Sequence, residues 1–193
     1  MRIVGGKHKG RRLQAPQDRA IRPTADRARE AIFNLLTQGR AVADTGFVLK
    51  DALVLDAFCG TGALGLEALS HGAQAATFLD AETAALTLAR ENAEAMGEAK
   101  NARFVRGDAT KPPAPPRAHG LVLLDPPYGQ DLAEAALVAL SAGGWLEEGA
   151  IAVLEQAAGE SLDVPIGFES IDERQYGAAK VVILQSGAPD EAA

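Results

Sequence analysis

Four short apolar runs in this chain each end in an aspartate. Leu53-Val54-Leu55 leads into Asp56, Ala75 to Leu79 into Asp80, Ala102 to Val105 toward Asp108, and Leu121-Val122-Leu123-Leu124 into Asp125. Runs of this length and composition suit parallel strands covered on both faces. The helical patterns between them make a βαβ series, and in an open parallel sheet ligands bind at the carboxyl ends of the strands. Four carboxylates are therefore expected on one rim, where they suit a cationic ligand and a hydrogen-bond-donating base. The expected fold class is α/β, a Rossmann-like, mostly parallel sheet with helices on both faces.

The first strand, Leu53 to Phe58, feeds the turn Cys59-Gly60-Thr61-Gly62-Ala63-Leu64-Gly65, and a helix is expected from Leu64 to Ser70. This Gly-x-Gly-x-x-Gly word permits a tight turn and lets a ligand approach backbone N–H groups. By spacing alone it fits a dinucleotide site. Asp56 argues otherwise, because it points negative charge into the pocket, repelling a pyrophosphate but not a sulfonium that carries an amino acid. The helix N-terminus can still receive a single carboxylate. Asp80 can take two ribose hydroxyls with either kind of cofactor, and Asp108 is placed to accept from an adenine amino group.

The fourth run ends in Asp125-Pro126-Pro127-Tyr128-Gly129. Neither proline can donate an N–H to a ladder, and each fixes φ near −65°. The carbonyls of Asp125 and Pro126 are thereby left for other donors. An aromatic amine is a poor nucleophile because its lone pair is delocalised. The Asp125 carboxylate and the Pro126 carbonyl could hold its two N–H bonds and favour the more sp3-like form that attacks. Stacking of a base on Tyr128 would be worth about 1–3 kcal/mol. The same word also fits a plain strand-to-turn exit.

Before the first strand, residues 1–13 read as a hairpin with turn or bulge signals at Gly5-Gly6 and Gly10. Lys7, Lys9, Arg11 and Arg12 would decorate it. Residues 14–22 read as a loop. Pro23 and Thr24 open a helix that runs to about Gln38, with Ala28, Ala31, Ile32, Leu35 and Leu36 on one face and Arg22, Arg27 and Arg29 at its start. Gly39 to Asp51 reads as a linker. After the first βαβ unit, helices are expected over 82–96, closed by Gly97, and over 131–142, closed by Gly143-Gly144 with Trp145 covering the core. The third strand is expected to reach Asp108. Residues 111–117, rich in proline, cannot be helical. Ala150 to Glu155 reads as a fifth strand, Phe168 to Tyr176 and Ala179 to Gln185 as an antiparallel edge, and 186–193 as a frayed tail.

The chain has 193 residues, enough for one domain or one domain with an appendage. Its net charge of −7 hides an asymmetry: residues 1–40 balance at +7, so the remainder carries −14. A basic end on an acidic body points to a polyanion at that end. Cys59 is the only cysteine, which excludes an intrachain disulfide. With no membrane-length apolar run and no signal-peptide pattern, a cytoplasmic location is expected. His8, His71 and His119 lie far apart in sequence and near no acidic cluster, so no metal is expected.

These residues resemble the class I methyltransferases that use S-adenosylmethionine. The resemblance covers nearly the whole chain for the RsmD family of bacterial small-subunit rRNA guanine-N2 methyltransferases. It rests on Arg2-Ile3-Val4-Gly5-Gly6 with Gly10-Arg11-Arg12-Leu13, and on Arg22-Pro23-Thr24 with Asp26-Arg27 and Arg29-Glu30. It continues through Asp56 to Ser70 and ends at Asp125-Pro126-Pro127-Tyr128. The last word is shared with amino-methyltransferases that act on adenine or glutamine. The resemblance implies a seven-stranded sheet with an antiparallel C-terminal hairpin. It implies a catalytic set of Asp125, Pro126, Pro127 and Tyr128, and cofactor contacts from Asp56, Phe58, Gly60, Thr61 and Gly62 together with Asp80, Asp108 and Ala109. RNA contacts would come from Lys7, Lys9, Arg11, Arg12, Arg22, Thr24, Arg27 and Arg29. Residues 1–40 would form the RNA-binding extension, 41–185 the methyltransferase domain and 186–193 a tail. The expected partner is 16S rRNA, within the small subunit or an assembly intermediate, met by a monomer without metal. Methylation of adenine N6 in another nucleic acid is the alternative, and a nicotinamide-dependent oxidoreductase the more distant one. The proline-rich 112–116 departs from relatives, which tend to have helical sequence there.

Overall fold

The computed structural model describes residues 1–15, 23–127 and 132–187, apart from the side chains of residues 23–25. The strands are β1 (Leu53–Ala57), β2 (Ala75–Asp80), β3 (Ala102–Arg106), β4 (His119–Leu124), β5 (Leu146–Ala157), β6 (Phe168–Tyr176) and β7 (Ala179–Ser186). They form one seven-stranded sheet in the order β3-β2-β1-β4-β5-β7-β6. β1 pairs in parallel with β2 and β4, β2 with β3, and β4 with β5. Only β7 is antiparallel to its neighbours β5 and β6. The doubly wound sheet and its C-terminal hairpin are as expected. The chain starts at β1, winds outward to β3, then returns to β4 on the other side of β1. The crevice between the carboxyl ends of β1 and β4 is thus the switch point at which such sheets bind ligands.

Five helices accompany the sheet among the described residues: α1 (Pro23–Gln38), α2 (Arg40–Asp44), α3 (Ala63–Ser70), α4 (Thr83–Met96) and α5 (Leu132–Ala142). Successive strand side chains point to opposite faces, and both faces are dry. Val54, Leu121 and Leu123 join one buried cluster with Ile32 and Phe33 of α1, Leu66 and Leu69 of α3, and Ala89 of α4. Leu55, Ala57, Val122 and Leu124 join another with Leu137 and Leu140 of α5 and Trp145. Ile3 and Leu13 belong to the first cluster, so the N-terminal segment shares its apolar packing.

Several boundaries differ from the sequence reading. Gly39 to Asp51 is not simply a linker: Arg40–Asp44 is helical, with Val42 buried. Five residues are too few for an amphipathic period to register. β3 stops at Arg106, and Asp108 instead bridges to Lys111 around a turn. β4 begins at His119, whose buried ring stacks on Trp145 and bonds Thr77 Oγ1 at 2.9 Å. β5 is twice as long as expected because it serves both β4 and β7, with a register shift between His119 and Leu121. Ser186 lies in β7, its hydroxyl donating to the Glu147 carbonyl at 3.1 Å, and the rest of the proposed tail from 188 lies outside the described residues. Residues 111–117 are non-helical as expected, and the Trp145 indole N–H donates to Pro113 O at 2.9 Å.

Candidate active site and nucleic-acid interface

The turn after β1 is unusual from its first residue. Phe58 has φ 61°, a left-handed conformation rare for a large side chain. Gly60 (φ 52°) and Gly62 (φ 76°) continue the turn, and Gly62 caps α3. A Cβ at Gly62 would lie 3.0 Å from Ala89 Cβ and 3.1 Å from Phe78 Cε1, so this glycine lets α3 settle against α4 and β2. A Cβ at Gly60 would meet nothing nearer than Phe58 O at 4.0 Å, so open space lies above it. The second glycine serves packing, therefore, and the first serves access.

The acids divide by direction. Asp56 is 1% exposed, and its Oδ2 accepts from Gly65 N at 2.8 Å. It faces the N-terminus of α3 beneath the turn, not the open pocket, which corrects the direction read from sequence. Burial pushes its pKa well above the ordinary value, opposed by the Gly65 N–H and reinforced by the charges of Asp125 and Asp80. That mutual influence brings three of the four strand-end acids together. Asp80 receives Gly60 N on Oδ2 and Glu82 N on Oδ1, both at 2.9 Å, and so supports the turn from β2. Its oxygens retain lone pairs for hydroxyl donors. Asp108 is exposed; the Thr110 hydroxyl at 2.7 Å and Thr110 N at 2.8 Å hold its pKa below the usual range. Ala109 beside it is buried.

Ala57 pairs with Leu124, so Asp125 follows β4 directly alongside Phe58 at the switch point. Asp125 is exposed, Pro126 buried and Pro127 exposed. Tyr128 lies outside the described residues. Cys59 is buried in the turn, where burial first and then the charges of Asp56 and Asp80 push its thiol far up. It is a packing residue and a poor nucleophile. Among the described residues no group of His, Cys, Asp and Glu could hold a metal.

The basic segment stands beside this turn. Residues 1–13 do form a hairpin, held by a bridge from Arg2 to Arg12 and by Ile3 N donating to Arg11 O at 2.9 Å. Its tip is a 3₁₀ turn at Gly6–His8. A Cβ at Gly6 would collide with the Ser70 carbonyl, so the tip must be glycine to lie on α3. Lys9, Arg12 and Arg27 are exposed. Arg11 is also exposed while donating to Ala95 O at 2.9 Å, and Lys7 pairs with Glu98 at 2.8 Å. Arg29 contradicts its assignment as an RNA contact: it is 3% exposed, and its guanidinium donates to Arg2 O and Asp26 Oδ1, both at 2.7 Å. Arg29 precedes the buried Ile32, Phe33 and Leu36 by three, four and seven residues, so the helical period sets it on the packed face of α1, where Asp26, Arg2 O and Glu67 surround its charge. Arg22 and the side chain of Thr24 lie outside the described residues.

The residues that fix this hairpin escaped the sequence reading. Glu67, fully buried in α3, receives Val4 N at 2.9 Å and Gly5 N at 2.6 Å, with Arg29 Nε at 3.4 Å. Asn92 in α4 accepts from Gln14 N at 2.7 Å and donates to Gln14 O and Thr61 O. Glu98 takes Lys7, His8 and Asn101. The available signal was an acid inside an otherwise apolar helical stretch, Leu64-Gly65-Leu66-Glu67-Ala68-Leu69, which implies a buried partner. The hairpin is thereby tied both to the glycine turn after β1 and to the far ends of α3 and α4.

A doubly wound sheet of this order, with a glycine turn at its switch point and an Asp-Pro-Pro at the end of β4, is a class I methyltransferase fold. The chain is similar to a solved putative methyltransferase of Escherichia coli, yhhF, with 34% identity, a TM-score of 0.81, and coverage of 98% of this chain and 99% of that one. Residues 1–185 match the family described as conserved hypothetical protein 95, and the chain belongs to that family. This is the family to which the sequence motifs pointed. Among its relatives, ribosomal RNA small subunit methyltransferase D of Escherichia coli K12 is 35% identical, covering 99% of this chain and 92% of that protein. The putative rRNA methyltransferase YlbH of Bacillus subtilis is 31% identical over 96% of this chain and 98% of its own length.

Proposed function

We propose that this chain transfers the methyl group of S-adenosylmethionine to the exocyclic N2 amine of a guanine in 16S rRNA. The observation that carries the reading is the β1–β4 register, which sets Asp125 and Pro126 beside the turn of Gly60 and Gly62. The residues present fit the cofactor. Open space lies above Gly60, Asp80 borders the turn with oxygens able to take hydroxyls, and Asp108 is an exposed, readily ionised acceptor. When bound, the cofactor supplies a methyl already activated by its sulfonium.

The protein's own contribution is then position. Asp125 accepts one N–H of the guanine amine and Pro126 O the other, which aims the nitrogen along the line of displacement and counters its conjugation with the ring. Tyr128 stacks on the base. The nitrogen is alkylated while both acceptors still hold its protons, and the resulting arylammonium is acidic enough to release one to water without a strong base. The guanine must be accessible in a loop or drawn from its stack. Asp56 serves from below, as the carboxylate that orients the turn. Residues 1–40 act as the RNA-binding extension of the domain at 41–185. The substrate is 16S rRNA within the small subunit or an assembly intermediate, and the enzyme works as a cytoplasmic monomer. No helix among the described residues is long and apolar enough to cross a membrane.

Labelled methyl transfer onto small ribosomal subunits, followed by nucleoside analysis, tests this directly. Labelled N2-methylguanosine is expected; methyladenosine would favour the alternative base. Asp125→Ala is expected to abolish transfer while calorimetry still detects cofactor binding, and near-wild-type turnover in that variant would refute the role of Asp125.

A further inference from the structure

At the end of the sheet opposite the carboxyl rim, a groove of about 300 Å³ opens between the starts of β2 and β3. Thr77 and Asn101 contribute to its walls, and Lys100, Arg103 and Arg117 are its cations. All three cations are exposed, and among the described residues none has an acidic partner. Their neighbours differ. Arg90 lies over the Phe104 ring at 4.8 Å, and Arg106 Nε donates to Ala81 O at 3.3 Å. Three unpartnered cations in one concavity stand out on a chain of net charge −7.

The hairpin connects this groove to the active site. Near its base, the Thr61 hydroxyl of the cofactor turn reaches Met1 Sδ at 3.4 Å. Its tip lies at the far end of α3, where the Ser70 hydroxyl accepts from His8 N at 2.9 Å. The Glu98 carboxylate joins tip to groove: Oε1 takes Lys7 Nζ at 2.8 Å and Oε2 takes Asn101 Nδ2 at 2.7 Å. Lys9 and Lys7 on the hairpin thus continue into Lys100, Arg103 and Arg117. Glu98 is nearly buried between them, so its charge is spent inside the joint. β2 alone spans about 17 Å from groove to rim at a rise of about 3.3 Å per residue.

We infer that this groove is a distal RNA-backbone site, in which Lys100, Arg103 and Arg117 bind phosphodiesters of the strand whose target guanine enters the crevice at Asp125. The inference rests on the proposed rRNA activity and extends it: the hairpin is the middle of a phosphate track and the groove its far end. Spread over such a length, phosphate contacts select the shape of the folded RNA around the target and carry no sequence information of their own. Cations without protein partners need no ion pair broken before they meet a phosphate.

The test is a full-length variant, Lys100→Ala/Arg103→Ala/Arg117→Ala, beside a control, Arg174→Ala/Lys180→Ala, that removes cations from β6 and β7 at the opposite edge of the sheet. Binding to 16S rRNA and to purified small subunits is measured across a salt series, with methyl-transfer kinetics and cofactor affinity. The triple variant is expected to weaken RNA binding at least tenfold at low salt. Its log–log salt slope is expected to be shallower by about two to three, given a slope of about 0.7–0.9 per phosphate contact. KM for subunits should rise with kcat and cofactor affinity unchanged, and the control should match wild type. Wild-type binding and slope in the triple variant, beside an active wild-type enzyme, overturn the groove alone. An equal loss in the control overturns it too, since net charge would then be the cause. A wild-type protein that neither binds nor methylates small subunits overturns the proposed function together with the groove.

Discussion

Glu67→Gln should release the N-terminal hairpin while the sheet stays folded. The native carboxylate is fully buried and is the acceptor for both Val4 N and Gly5 N. Glutamine keeps one acceptor oxygen and turns an NH2 toward a second N–H or toward Arg29. Each buried donor left unsatisfied costs about 1–3 kcal/mol. Removing the partner of a buried ion pair outright costs about 3–5 kcal/mol, but Arg29 keeps Asp26 and Arg2 O, so its share is the smaller part. A total of about 2–3 kcal/mol is expected for glutamine, and about 4–5 kcal/mol for Glu67→Ala, which leaves both N–H groups without an acceptor. With a urea slope of about 2 kcal/mol per molar, a global effect of the glutamine size shifts the midpoint by about 1 M. Trp145, the one tryptophan, is buried on the opposite face of the sheet and reports global unfolding. Hydrogen exchange at Val4 and Gly5 reports local release. The expected result is a large loss of protection at those two amides, weaker RNA binding, and a smaller shift at Trp145 than the summed local cost. Unchanged protection at Val4 and Gly5 would show that the hairpin is held by Ile3, Ser70 and Glu98 without this carboxylate, and would sink the reasoning.

Gly62→Ala should both destabilise and impair cofactor binding, because φ 76° costs an L-residue about 1–2 kcal/mol before its Cβ meets Ala89; thermal melts with and without cofactor measure both, and an unchanged Tm would refute it. Glu98 gives a pH signature. Burial raises its pKa, but hydrogen bonds from Lys7, His8 and Asn101 prevail and hold it at about 2, below its ordinary 4.5. A lowered acid contributes stability that is complete above the unfolded value and lost as pH falls through the folded one. Hairpin attachment should therefore weaken between about pH 4.5 and 2, and Glu98→Gln should remove that component of an acid titration followed by exchange at His8 and Lys9.

Much of the sheet was readable because its signals are local. Strand runs of Val, Leu and Ala, glycines at Gly60, Gly62 and Gly97, and the proline pair after Asp125 act within a few residues, and each left the same mark in sequence and in space. The misses share a different cause. α2, at five residues, is too short to show an amphipathic repeat, β5 is lengthened by partners on both sides, and Arg29, read by its charge as a surface residue, shares the packed face of α1 with Ile32, Phe33 and Leu36. For Asp56, the sequence placed the residue at the strand end but could not tell which way its carboxylate turned.

From the order of residues alone follow the winding of the sheet, the position of the crevice and the identity of the groups at its rim, because period, chirality and turn chemistry are properties of neighbouring residues. Only the folded chain decides that Glu67, Asn92 and Glu98 clamp the basic hairpin beside the glycine turn after β1, and that Lys100, Arg103 and Arg117 share one groove. Those bonds join residues up to 90 positions apart. No local preference encodes them, since they exist only once burial has removed water as the competing partner.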